Sequence, residues 1–130
     1  DLQELLLQLE NANKFILKLS QNNINNHHAN YAFWGSGFYA KFFGLHMPNI
    51  RPKVSFDSNP DLVNSKLTLI NGLDIPIENS NGIIDYCLEN QIKNVILTVS
   101  PQTAASIQSS LGNRFQESEI KLINPWISTL

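Results

Sequence analysis

Apolar residues near the start of the chain fall at Leu2, Leu5, Leu9, Ala12, Ile16 and Leu19, with Leu6 and Phe15 widening the stripe. Spacings that alternate between three and four put these positions on one side of a helix, so an amphipathic helix is expected over residues 2–20. Glu10 and Lys14 form a favourable i,i+4 pair on its polar side. Residues 21–29 have no period and are rich in turn formers, which predicts a loop.

Beyond residue 30 short apolar runs alternate with helical spacings. Tyr31–Trp34 has the character of a buried parallel strand stopped by Gly35. Phe38, Phe42, Phe43 and Leu45 follow at helical spacing until Pro48 ends the segment. A second strand is expected at 53–56, closed by the turn residues Asp57, Ser58, Asn59 and Pro60. Over 61–77 irregular structure with one edge strand is expected, because Pro76 cannot donate to a central ladder. A helix over 79–91 carries Ile83, Ile84, Cys87 and Leu88 on one face, and 94–99 is the cleanest strand in the chain. Ser100 is a preferred N-cap and Pro101 suits a first helical turn, so a helix is expected from there to about Gly112, then a last strand at 119–123.

Strands that alternate with helices build a parallel sheet through right-handed crossovers. The expected fold is therefore α/β and Rossmann-like, with strand order three-two-one-four-five and helices on both faces. Residues 1–29 form an N-terminal helix and loop, and 30–130 the Rossmann-like domain. A chain of 130 residues has room for one such unit. It starts at Asp1 directly in a helical pattern, which fits a piece cut from something longer.

With 9 basic and 11 acidic residues the formal charge is −2, so neither a nucleic-acid partner nor an anionic membrane surface is expected. The single cysteine, Cys87, allows no internal disulfide and no multi-cysteine metal site, which fits a reducing, cytoplasmic setting. No apolar run approaches the roughly 18 residues needed to cross a bilayer. The leucine-rich helix has a different implication: it can dock on its own domain, join an upstream domain or pair in a homodimer.

The chemistry concentrates at Gly35-Ser36-Gly37-Phe38-Tyr39-Ala40, a G-x-G-x-x-A sequence between a strand and a helix. There the first glycine permits a tight turn, the second lets a phosphate approach the backbone, and the small third residue allows close helix–strand packing. Amides at the helix start hold an anion. Asp57 stands twenty residues past Gly37 at the end of the second strand, where an acid accepts hydrogen bonds from ribose hydroxyls. Gly35, Ser36, Gly37, Phe38, Asp57 and Ser58 are thus candidate ligand-binding residues, joined by Ser100 at the sheet rim. The plainer roles are a chain turn for the glycines, a turn cap for Asp57 and a helix cap for Ser100.

Other residues carry less. His27 and His28 are adjacent on an extended loop, point apart and have no carboxylate nearby in sequence, so no metal site is expected. Cys87 on an apolar helix face is an inert thiol rather than a nucleophile. Trp34 and Trp126 suit core or interface positions. No Ser-His-Asp set, Gly-Lys-Ser/Thr turn or His-Glu zinc motif occurs, so no catalytic residue is assigned. A methyl-donor site within this domain is not expected either, since Ala32, Phe33 and Tyr39 stand where such sites place an acid and a third glycine.

The order of Phe33-Trp34-Gly35-Ser36-Gly37, Phe56-Asp57-Ser58-Asn59-Pro60, Gly72-Leu73-Asp74-Ile75-Pro76-Ile77 and Asn94-Val95-Ile96-Leu97 resembles the C-terminal Rossmann-like domain of sugar C-methyltransferases. The resemblance covers 31 to about 127. It implies an accessory domain that helps to bind a nucleotide sugar, with S-adenosylmethionine held by a separate domain and Gly35, Ser36, Gly37 and Asp57 nearest the substrate. The rival expectations are an NAD(P)-binding domain of an oxidoreductase, favoured by Ala40, and a non-catalytic interaction module that docks or dimerises through its first helix.

Overall fold

Helix α1 (Leu2–Asn22) opens the chain, its first turn closed by the Asp1 carboxylate, which accepts from the Glu4 amide at 2.8 Å. There follow β1 (Tyr31–Trp34), α2 (Phe38–His46), β2 (Ser55–Asp57), β3 (Lys66–Thr68), β4 (Asp74–Asn79), a 3-10 turn (Ser80–Gly82), α3 (Ile83–Glu89), β5 (Asn94–Leu97), α4 (Pro101–Glu117) and β6 (Lys121–Ile123). The computed structural model describes residues 1–22, 30–47 and 50–127. The paired histidines His27 and His28 lie outside the described residues.

The sheet has the order β3-β4-β2-β1-β5-β6. All neighbours are parallel except β3 and β4. The five parallel strands thus follow the expected three-two-one-four-five order, and β3 adds an antiparallel edge. Segment 61–77 is the departure: it forms a two-stranded hairpin with Pro76 in the inner strand, not irregular chain with Pro76 near an edge. The physical reason lies in the register. Pairing of β4 with β2 starts at Ser55 and Ile77, one residue past Pro76, while the Ile77 amide donates to the Ser65 carbonyl on the other side. No ladder bond is asked of the proline nitrogen.

Alternation along the strands sends side chains to both faces. Phe33, Ile77 and Ile96 meet Ala12 and Phe15 of α1 and Ala40 and Phe43 of α2. Ala32, Val54, Phe56 and Val95 meet Ile83 and Cys87 of α3 and Phe115 of α4. Helix α4 runs five residues past the expected Gly112, because Phe115 is wanted in this second core.

Only part of α1 follows its expected stripe. Ala12 and Phe15 are buried, Phe15 edge-on to Phe43 at 6.4 Å, and the Asn11 amide donates to the Trp126 carbonyl at 3.0 Å. Leu2, Leu5, Leu6 and Leu9 stay 42–69% exposed. The contact face is therefore centred on Phe15 and leaves the early leucines of the stripe in water. No described helix is long and apolar enough to cross a membrane.

Candidate functional site

In open parallel sheets the ligand crevice lies outside the carboxyl ends of the strands, where successive connections leave in opposite directions. Here that place is between β1, whose connection runs through α2 to β2, and β5, whose connection runs through α4 to β6. The Gly35-Ser36-Gly37 turn and the Thr98-Val99-Ser100 segment form its two lips.

The turn is fastened to β2 and to Thr98, the residue that follows β5. Gly35 donates its amide to the Phe56 carbonyl at 2.8 Å, and its own carbonyl accepts from the hydroxyls of Thr98 at 2.8 Å and Ser55 at 3.2 Å. The Ser36 hydroxyl is buried against the Ser55 hydroxyl at 2.7 Å. Its amide donates to Asp57 Oδ2 at 3.0 Å, while Asp57 Oδ1 accepts from the Asn59 amide at 2.9 Å. Asp57 is thus drawn from the end of β2 onto the turn, with each oxygen holding one backbone donor and retaining capacity for another.

The two glycines have different reasons to exist. Gly35 has φ +119, and a Cβ there would stand 2.4 Å from the Thr98 carbonyl oxygen and 2.6 Å from Val99 Cγ1. The fold itself demands it. Gly37 has φ −98, and a Cβ there would meet nothing within 4 Å. Nothing in the packing asks for a glycine at this N-cap, and no side chain caps the α2 amides that open above it. Ala40, the third position of the motif, is fully buried against Phe33 and its neighbours, as close helix–strand packing requires.

The remaining expected residues divide. Phe38 begins α2 beside the turn and is 73% exposed, while Ser58 is exposed at the loop beyond Asp57. Ser100 sits at the rim but is occupied as a helix cap, its hydroxyl accepting from the Thr103 amide at 3.2 Å and donating to the Thr103 hydroxyl at 2.9 Å. Ser55 and Thr98, which hold the turn, are not among the residues to which the sequence points. Their signal was a polar residue inside an otherwise apolar strand run.

Trp126 is a core residue, with Nε1 donating to the Val99 carbonyl at 2.8 Å and rings packed on Tyr39 and Phe43. Cys87 is fully buried, and burial pushes its thiol up from about 9 to about 11. A thiol whose folded pKa is raised contributes stability that is complete below its unfolded value and is lost as pH climbs toward the folded one. Stability measured by urea unfolding is therefore expected to decline between pH 9 and 11, and Cys87→Ala to flatten that decline. Iodoacetamide is expected to leave Cys87 unmodified at neutral pH until the chain unfolds.

No protein-family model matches the chain, and no curated protein matches it. Among solved structures the fold is similar to RSP, a Rex-family repressor, in its complex with β-NAD+ and operator DNA: identity is 19%, TM-score 0.55, over 72% of this chain and 42% of that one. The same repressor with β-NADH gives 19% identity and a TM-score of 0.51, over 72% and 44%. UDP-D-quinovosamine 4-dehydrogenase from Vibrio fischeri is similar at 15% identity and TM-score 0.50, over 72% of this chain and 75% of that one. The chain spans less than half the length of the repressor. One expectation is corrected by these likenesses. A protein with this fold forms a complex with operator DNA, so a net charge of −2 on such a domain does not exclude nucleic acid. The charge of one domain says nothing about surfaces carried elsewhere in a longer chain. At these identities the likenesses establish the architecture, and the chain is a Rossmann-type α/β domain.

Proposed function

We propose that this domain binds a nicotinamide dinucleotide across the carboxyl ends of β1 and β5. The observation that carries the reading is Gly37: it is a glycine at the start of α2 whose added Cβ would meet no atom within 4 Å, beside helix amides that no side chain caps. Those amides suit the diphosphate, which gains from both their free donors and the helix dipole. The Asp57 carboxylate suits the ribose hydroxyls. The structures of RSP with β-NAD+ and β-NADH support the choice of ligand over the S-adenosylmethionine-linked expectation.

Calorimetric titration with NAD+, NADH and NADP+ tests this. NAD+ and NADH are expected to bind, NADP+ about tenfold more weakly because a 2′-phosphate meets the Asp57 carboxylate. Asp57→Asn, which keeps the acceptor toward Asn59, is expected to narrow that gap. No heat with any of the three at millimolar ligand would remove the proposal.

A second reading, the nucleotide-sugar-holding accessory domain of a sugar-modifying enzyme, is favoured by the motif order from Phe33-Trp34-Gly35 through Gly72-Leu73-Asp74. A UDP-sugar in the same titration separates the two.

A further inference from the structure

Helix α1 has two apolar faces, and its own domain covers one of them. Ala12 and Phe15 are buried in the core beside Phe43, whereas Leu2, Leu5, Leu6, Leu9 and Leu17 stay between 42% and 69% exposed. Leu6 and Phe15 are nine residues apart, about two and a half helical turns, and so lie on opposite sides of the helix. The five leucines together leave on the order of 500 Å² of apolar surface in water, at the upper end of the largest patch a monomer ordinarily shows.

Their order is that of a helix–helix seam. Leu2, Leu6, Leu9 and Asn13 fall at spacings of four, three and four, with Leu17 one turn further on. A polar residue in such a line costs stability and fixes the register of the pair. Charges are sorted along the same segment: Asp1, Glu4 and Glu10 stand in its first half with no base, Lys14 and Lys18 in its second half with no acid. Turned end for end, a second α1 sets its acidic half against the basic half of the first, and the two helix dipoles run in opposite directions. A parallel copy would set like charge on like. Such self-complementarity is what a two-fold interface requires, since one patch must serve both sides. A membrane surface is the poorer fit, because a helix that lies on lipid carries Lys and Arg along its polar face, and this segment has more acids than bases.

We propose that α1 pairs antiparallel with α1 of a second copy of this chain. The helices cross near Leu9, Leu2 of one copy meets Leu17 of the other, and Asn13 fixes the alignment. Each domain hangs on the outer side of the pair, held by its Phe15 face. Contacts with Phe43 and Trp126 already order the helix, so little ordering cost remains on association. Closing both patches buries on the order of 1,000 Å², the lower limit for a specific interface, and a dissociation constant of about 1–100 µM is expected.

Sedimentation equilibrium of the whole chain between about 1 and 200 µM tests this. A monomer–dimer equilibrium is expected. Leu6→Glu is expected to weaken it at least tenfold while circular dichroism shows the melting temperature of the parent, since Leu6 lies outside both cores. Leu88→Glu, at an exposed position on α3, is expected to leave the dimer unchanged. The paired variants Glu4→Lys/Glu10→Lys and Lys14→Glu/Lys18→Glu are each expected to be monomeric, and their equimolar mixture to regain the dimer. A chain that stays monomeric at the top of the range overturns the proposal and assigns the leucine face to another segment or partner. A dimer that survives Leu6→Glu, or that neither charge pair weakens, overturns it as well.

Discussion

Gly35→Ala is expected to cost about 3 kcal/mol or more of folding stability, with a melting temperature lower by roughly 10 °C. Two effects add. An L-residue forced to φ +119 carries about 1–3 kcal/mol of backbone strain. Its methyl group would also press 2.4 Å from the Thr98 carbonyl oxygen, and overpacking of this kind costs about 1–3 kcal/mol more. Relief is blocked, because the same turn is tied through its carbonyl to Ser55 and Thr98 and through its amide to Phe56. Thermal denaturation followed by circular dichroism reads the result. A melting temperature within about 2 °C of the parent would show that the turn can relax and that Gly35 is not structurally required.

Gly37→Ala is expected to behave in the opposite way, leaving stability within about 1 kcal/mol of the parent and weakening NAD+ by tenfold or more. The first half follows from the open space around the position, since an added Cβ meets no atom within 4 Å. The second follows from what that space faces: the start of α2, which no side chain caps, whereas the Gly35 and Ser36 amides are taken by Phe56 and Asp57. Calorimetry and denaturation on the same preparation measure both. An unchanged affinity with NAD+ bound would place the diphosphate elsewhere; a collapse in stability would mean the glycine serves the fold after all.

The contrast between these two glycines marks where sequence reasoning stops. G-x-G-x-x-A after a short apolar strand was enough to place a turn and a helix, and the helix does begin at Phe38. Both glycines looked alike there. Their separation needed the position of Thr98, which lies 63 residues from Gly35 and reaches it only because β5 is laid beside β1. Asp57 is likewise legible as an acid at the end of β2, but its bond to the Ser36 amide, which ties it to the turn, depends on β2 lying beside β1.

The glycine turn, Asp57, the strand–helix alternation and the parallel order are matters of local pattern: period, breakers and caps act over a few residues, and crossover handedness does the rest. What the chain by itself left undecided depends on which faces meet. Pro76 sits in an inner strand because the β4 register with β2 starts one residue later. The face of α1 turned inward is the one bearing Phe15, because the pocket beside Phe43 and Trp126 takes a ring, and Leu2, Leu5 and Leu9 remain exposed. Trp34, expected from the sequence at a core or interface position, packs on Phe115 with ring centroids 6.1 Å apart and lines a cavity between α3 and α4. Periodicity names an apolar face, and only packing chooses its partner.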